Sequence, residues 1–341
     1  MKRPKTLPAF TEEERKEVHR LLATRVAFMN GRKFEEGDWA EVYCGAKKIP
    51  LRGWSNLDID VIYGSLGVEH KMLCYRSRVN LMDACGKTLM HPAATRSIRV
   101  SSTTAAPNKV MSDVLSQYAQ LIEARREKVR EQSKSKRKPD MRTGWLLWQE
   151  SLRQFLYFEE EMLPPNPADY EAEWVESGGG IRKRSRNLWV YERETGVKRY
   201  SITTQAGAKI QPYFDVPPPA DPNLYVFTVI GEFLDTGYVR VWLTEATARE
   251  VKRLIGSLDI EAVSKTILDC YELASQIERT EISRTELAEA VIITADAYQA
   301  LQAAFPGVND DHSFRLLAQF LDREPQPERD GLRNDITSHR R

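Results

Sequence analysis

The spacing of apolar residues divides the chain into stretches of different period. From Thr11 to Met29, Val18, Leu21, Leu22, Val26 and Met29 recur at helical spacing behind Thr11 and Glu14. That T-x-x-E pattern is a capping box, so a first helix is predicted, stopped by Gly31. A short second helix fits Asp38–Lys47, before Pro50 and Gly53. The period then becomes alternating. Leu57, Ile59 and Val61 interleave with Asp58, Asp60 and Ile62, Gly64-Ser65-Leu66-Gly67 reads as a turn, and Val68, His70 and Met72 interleave with Glu69, Lys71 and Leu73. This is a β-hairpin signature. A third strand is expected at Arg96–Ser101. A helix is expected at Lys109–Val129, with Val110, Val114, Tyr118, Leu121 and Ile122 along one face. Trp145–Met162, rich in Trp, Leu and Phe and ended by Pro-Pro-Asn-Pro, reads as another helix. Residues 170–243 read as mostly antiparallel strands, residues 244–321 as helices, and 326–341 as a polar, disordered tail. The letters reveal no internal repeat.

At 341 residues the chain exceeds one ordinary core of about 100–200 residues, so two or three domains are expected. No apolar run approaches the ~20 residues of a membrane helix. No apolar stretch follows the basic amino terminus, so no secretory signal is read and a cytoplasmic location is expected. Cys44, Cys74, Cys85 and Cys270 form no C-x-x-C pair and have no histidine at ligand spacing, which argues against a zinc site or a disulfide scaffold. A net charge of +1 leaves nucleic-acid binding to local charge.

The chemistry is concentrated in the hairpin. Strand side chains alternate faces, so Asp58 and Asp60 share one face of the first strand, and Glu69 and Lys71 one face of the second. Neighbouring carboxylates repel and call for a cation, and hard carboxylate oxygens suit Mg²⁺ or Mn²⁺. A lysine beside them can assist a metal-bound water, so phosphodiester hydrolysis is the chemistry suggested. Glu14-Arg15-Lys16 and Glu250-Val251-Lys252 repeat the E-x-K letters in helical patterns, where i and i+2 cannot share a site. His70 should point to the opposite face, as a hydrogen-bonded core histidine.

The pattern D-x8-E-x-K on adjacent strands, preceded by helices, resembles the PD-(D/E)XK nuclease superfamily, in particular its type II restriction endonucleases, over residues 11–125. The resemblance implies an α/β nuclease core with a mixed central sheet flanked by helices. It implies Asp60 or Asp58 as metal-binding aspartate, Glu69 as second metal ligand, Lys71 as catalytic lysine and Glu41 as a helical acid. The proline before the aspartate is lacking, which leaves open which aspartate acts. Asp58-Ile59-Asp60-Val61 also resembles the nucleotidyltransferase strand, though Cys44-Gly45-Ala46 stands where that pattern wants Gly-Ser opening a helix.

The organisation expected is a nuclease domain over 1–125, a basic linker over 126–142, and a β-rich and helical target-recognition domain over 143–325. Residues 125–142 hold nine basic against three acidic residues, an excess suited to phosphates. Arg182, Lys183, Arg184 and Arg186 follow three glycines in a loop suited to groove contacts, and Arg96 with Arg99 is placed for phosphate. His91 lies in the same segment as Arg96. Ile282–Phe305 has a helix-turn-helix cadence whose second helix lacks basic residues. The function expected is a Mg²⁺-dependent restriction-type endonuclease of double-stranded DNA acting at a specific, conceivably cytosine-modified site. A homodimer follows from the need to cut two strands. The alternatives are a nucleotidyltransferase-like enzyme and a non-catalytic DNA-binding protein.

Overall fold

The computed structural model describes residues 5–29, 32–51, 59–75, 80–92, 98–133, 137–177, 185–204, 209–234, 237–274 and 288–323. The fold is mixed α/β in two compact units, one made of residues 1–18 and 33–227, the other of 19–32 and 228–341.

The first unit begins with β1 (Thr6–Leu7), α1 (Glu12–Ala27, whose later turns belong to the second unit), α2 (Glu36–Ala46), β2 (Val61–Tyr63) and β3 (Leu66–Tyr75). The capping box forms as read: Thr11 N donates to Glu14 Oε2 at 2.8 Å and Glu14 N to Thr11 Oγ1 at 3.2 Å. Next come β4 (Thr88–Met90), α3 (Pro107–Gln132), β5 (Asp140–Gln149) and β6 (Gln154–Glu161). The unit ends with β7 (Tyr170–Ser177), β8 (Ser185–Glu192), β9 (Lys198–Thr203), β10 (Lys209–Asp215) and β11 (Tyr225–Thr228).

These strands make two sheets. The first is mixed, in the order β1-β6-β5-β3-β2, with β11 also on β6. β3 pairs in parallel with β5, and α3 lies in the crossover that such a pair needs. The second sheet is antiparallel, in the order β4-β10-β9-β8-β7. Helix α3 serves both. Its early residues Val110, Met111, Val114 and Leu115 pack with Leu188, Val190, Ile202 and Ile210 of the second sheet, and its later Ile122 and Val129 pack with Ile62, Met141 and Met162 beside the first.

Three expectations are corrected here. Residues 145–162 are not a helix but most of the β5–β6 hairpin: Trp145, Leu146, Leu147 and Trp148 are all buried, because the strand is covered on both faces and so shows no alternation. The basic segment 126–142 is not a linker between domains. It holds the last turns of α3 and the start of β5, the strand that pairs with β3, so most of the expected nuclease domain shares a unit with residues 143–227 of the expected recognition domain. In the Arg96–Ser101 stretch the described residues are not a strand.

The second unit contains β12 (Glu232–Phe233), β13 (Tyr238–Thr244), α4 (Glu245–Ile255), α5 (Ile260–Ala274), β14 (Ala288–Thr294), α6 (Ala295–Ala304) and α7 (Asp310–Arg323). It holds an internal duplication absent from the letters. β13–α4–α5 and β14–α6–α7 are two strand–helix–helix copies, and β13 pairs antiparallel with β14 so that Val241 faces its counterpart Val291. Thr244 and Thr294 cap the following helices identically, each accepting from the backbone N–H three residues on. The copies exchange partners, α5 packing on α6 and α4 on α7. β14 stands within the stretch 244–321 that was expected to be helical, in place of the first helix of the Ile282–Phe305 cadence. Residues 326–341 lie outside the described residues.

Candidate active site

The hairpin closes through Gly64 and Ser65, with Gly64 at a φ of +57°, a conformation that favours glycine. The turn is thus shorter than the four residues read from sequence, and β3 starts at Leu66. Asp60 immediately precedes β2, and its Oδ2 accepts a hydrogen bond from the backbone N–H of His70 at 2.6 Å. On β3, Glu69 and Lys71 share one face. Lys71 Nζ donates to Glu69 Oε1 at 2.5 Å, and Arg125 Nη2, from α3, reaches the same oxygen at 3.3 Å. Glu69 is only 7% exposed, and its second oxygen, Oε2, is buried with no hydrogen-bond partner.

A buried carboxylate oxygen without a donor is costly, and so is a carboxylate pair without a cation. Burial and then the charge of Glu69 push the Asp60 carboxyl up to about 7, against the lowering effect of the His70 N–H. Asp60 is exposed as a residue; the shift reflects its carboxylate end, which turns in against β3. Burial works against charge on Lys71, but the charge and hydrogen bond of Glu69 outweigh it and hold the ammonium above its ordinary pKa. Two repelling carboxylates, one with an unsatisfied buried oxygen, fit a hard divalent cation. Among the described residues no ready-made group of three His, Cys, Asp or Glu ligands is present, so Asp60 and Glu69 are what this site offers. Asp58 lies outside the described residues.

Glu69 and Lys71 face a cavity of about 800 Å³ inside the first unit, bounded also by Arg125, Tyr118, Trp145 and Phe214. The rings of Trp145 and Phe214 stack at 3.9 Å and close one side. Glu160, in register with Glu69 through Thr143, accepts from Trp145 Nε1 at 2.8 Å, and burial raises its carboxyl to about 7. Arg199, also at the cavity, is held by Asp215 at 2.8 Å and Glu192 at 3.2 Å.

Several expected site residues are placed elsewhere. Glu41 is exposed on α2, and the helical acid whose charge reaches Asp60 is Glu36. Five residues apart on a helix, the two point about 140° apart, so Glu41 is a correction. Arg186 is engaged within the protein: its Nη1 donates to the Thr103 carbonyl at 2.7 Å and its guanidinium lies over Trp174 at 4.8 Å. Arg96, Arg182, Lys183 and Arg184 lie outside the described residues. His70 points away from Glu69 as read, its Nδ1 3.3 Å from Trp39 Nε1, and burial lowers it to about 3. His91 is a buried strut, its Nε2 2.8 Å from the Met72 carbonyl.

Arg125 is the site residue that sequence reasoning missed, having been read only as the start of a basic run. A signal existed, since Tyr118, Ile122, Arg125 and Val129 continue the buried stripe of α3 at helical spacing. With the site's geometry in hand, comparison with known proteins adds no relative: no family model, curated protein or solved structure matches the chain.

Proposed function

We propose that the protein is a Mg²⁺-dependent endonuclease of double-stranded DNA, of restriction type. The observation that carries the reading is the Glu69–Lys71 pair on β3, with Asp60 bonded to the N–H of the intervening His70 and Glu69 Oε2 buried and unpartnered. The mixed sheet with β3 inside it, joined to β5 through a helix, is compatible with the nuclease core that the D-x8-E-x-K resemblance implies.

In this reading Asp60 and Glu69 hold the metal, with Asp58 a further candidate ligand. Bound Mg²⁺ would neutralise charge on the scissile phosphate and acidify an attacking water. Glu69 is fixed by its place on a central strand and by Lys71, so little motion is needed to present Oε2. Lys71, kept protonated by Glu69, orients the nucleophile and counters developing negative charge. Cutting both strands needs two such sites, hence a homodimer on DNA. The nucleotidyltransferase reading loses support, because Gly45 and Ala46 end α2 instead of opening a helix.

The test is digestion of plasmid DNA, unmodified and cytosine-methylated, in Mg²⁺ or Mn²⁺ by wild type, Lys71→Ala, Glu69→Gln and Asp60→Asn. Discrete fragments that disappear with the variants, while DNA binding persists in Ca²⁺, are expected. Intact DNA throughout would overturn the reading.

A further inference from the structure

Arg125 has more donors than the protein uses. Its Nη2 makes only the longer of the two bonds to Glu69 Oε1, at 3.3 Å against 2.5 Å from Lys71. Its Nε is buried without a hydrogen-bond partner, and its side chain is 16% exposed. A guanidinium is costly at such a place, between the buried Ile122 and Val129 on α3, unless something satisfies it. Glu69 does not need it structurally, since Lys71 already holds the same oxygen at closer range. Glu69 Oε2 and Arg125 Nε are thus buried, unsatisfied atoms of opposite character on two residues that line one cavity. The first suits a cation, and the second suits an anionic oxygen, to which arginine's planar fork offers paired donors where lysine offers a point charge.

We infer that Arg125 binds the scissile phosphate, donating from Nε and a terminal nitrogen to its non-bridging oxygens while Lys71 retains Glu69. The assignment rests on the nuclease reading and adds to it a substrate-touching residue from outside the hairpin. Of the other two cations lining the cavity, Arg199 is already held by Asp215 and Glu192 and Lys5 is exposed, so an anion reaching Glu69 finds Lys71 and Arg125 together.

The test uses the full chain and its Arg125→Ala and Arg125→Lys variants. Three quantities are read: single-turnover cleavage in Mg²⁺ at saturating DNA, duplex affinity in Ca²⁺, and protection from thermal unfolding by thymidine 5′-monophosphate. Arg125→Ala should cut about 10²-fold more slowly, the loss typical of one preorganised donor, with duplex affinity nearly unchanged and nucleotide protection gone. Arg125→Lys should recover part of both losses and, if the alanine variant fails to fold, decides alone. Wild-type cleavage rates in the folded variants would overturn the inference and leave the nuclease reading standing. Nucleotide protection that depends on Arg125 in a protein that cuts no DNA would uphold the anion site and sink the nuclease. Neither cleavage nor protection in the wild type would remove both.

Discussion

The two faces of β3 carry buried charge on opposite terms. On the cavity face, Glu69 is crowded by two cations on one oxygen and left bare on the other, and Arg125 keeps an idle Nε. On the other face, His70 lies in register with Gly144 and Glu159, and Glu159 is fully used. Its Oε1 accepts from Tyr43 at 2.8 Å and Tyr157 at 2.9 Å, its Oε2 from Arg142 at 2.9 Å, and Arg142 spends its remaining donors on Asp140 and the Pro8 carbonyl. His70 Nε2 is left over there. Both clusters bury a glutamate on the same sheet, so burial alone does not mark function. Incomplete satisfaction does: a network closed on itself holds strands together, and one left open has room for a ligand.

The comparison breaks most visibly through catalysis. Lys71→Ala or Glu69→Gln should slow single-turnover cleavage by about 10²–10³-fold, whereas Glu159→Gln, on the opposite face, should alter the rate only as far as it unfolds the protein. A cleavage loss in a folded Glu159→Gln protein equal to that of Lys71→Ala would erase the distinction. In stability the order reverses. Glu159→Gln takes from Arg142 a carboxylate that is 0% exposed, and because Arg142 keeps Asp140 the cost should approach but not exceed that of a fully broken buried pair, about 3–5 kcal/mol. Glu69→Gln should cost less than half as much by urea denaturation, because Lys71 and Arg125 open onto the cavity.

A smaller effect probes the packing that separates the faces. Gly144 sits between His70 and Glu159, and a Cβ there would stand 2.3 Å from Tyr157 Oη and 2.8 Å from His70 Nδ1. Both atoms belong to the closed network and cannot withdraw without giving up partners. Gly144→Ala should therefore destabilise by about 1–3 kcal/mol, measured as a lowered unfolding midpoint, with cleavage by the remaining folded protein intact. An unchanged midpoint would mean the network is looser than its hydrogen bonds imply.

How much of this was legible before the coordinates follows the same physics. α1 announced itself through Thr11 and Glu14, α3 through its apolar stripe, and the E-x-K strand through charges among Val68, Met72 and Leu73, because each has one wet and one dry side or a local cap. The β5–β6 hairpin was misread because Trp145 to Trp148 are dry on both sides and carry no period. Arg125 was lost in a run of basic residues because charge density hides the phase of one side chain. Glu41 was named because the letters place an acid on a helix without saying which way it turns. The duplication escaped because its copies share shape and only a few residues, Thr244 with Thr294 and Val241 with Val291.

The contrast also sharpens through pH, because the two faces respond with opposite sign. His70 is lowered to about 3 by burial and then by the charge of Lys71. An unfolded histidine, near 6.5, binds a proton that the folded one refuses, so this contribution is present above about 6.5 and is lost as pH falls toward 3. Glu160, on the cavity face, is raised to about 7 from 4.5 by burial. Its contribution is present below 4.5 and is lost as pH rises through about 7. Urea midpoints measured from pH 4 to 8 should therefore fall less steeply on the acid side in His70→Gln, and less steeply on the neutral side in Glu160→Gln. Identical pH profiles for the two variants would mean that these buried groups do not set the two faces apart.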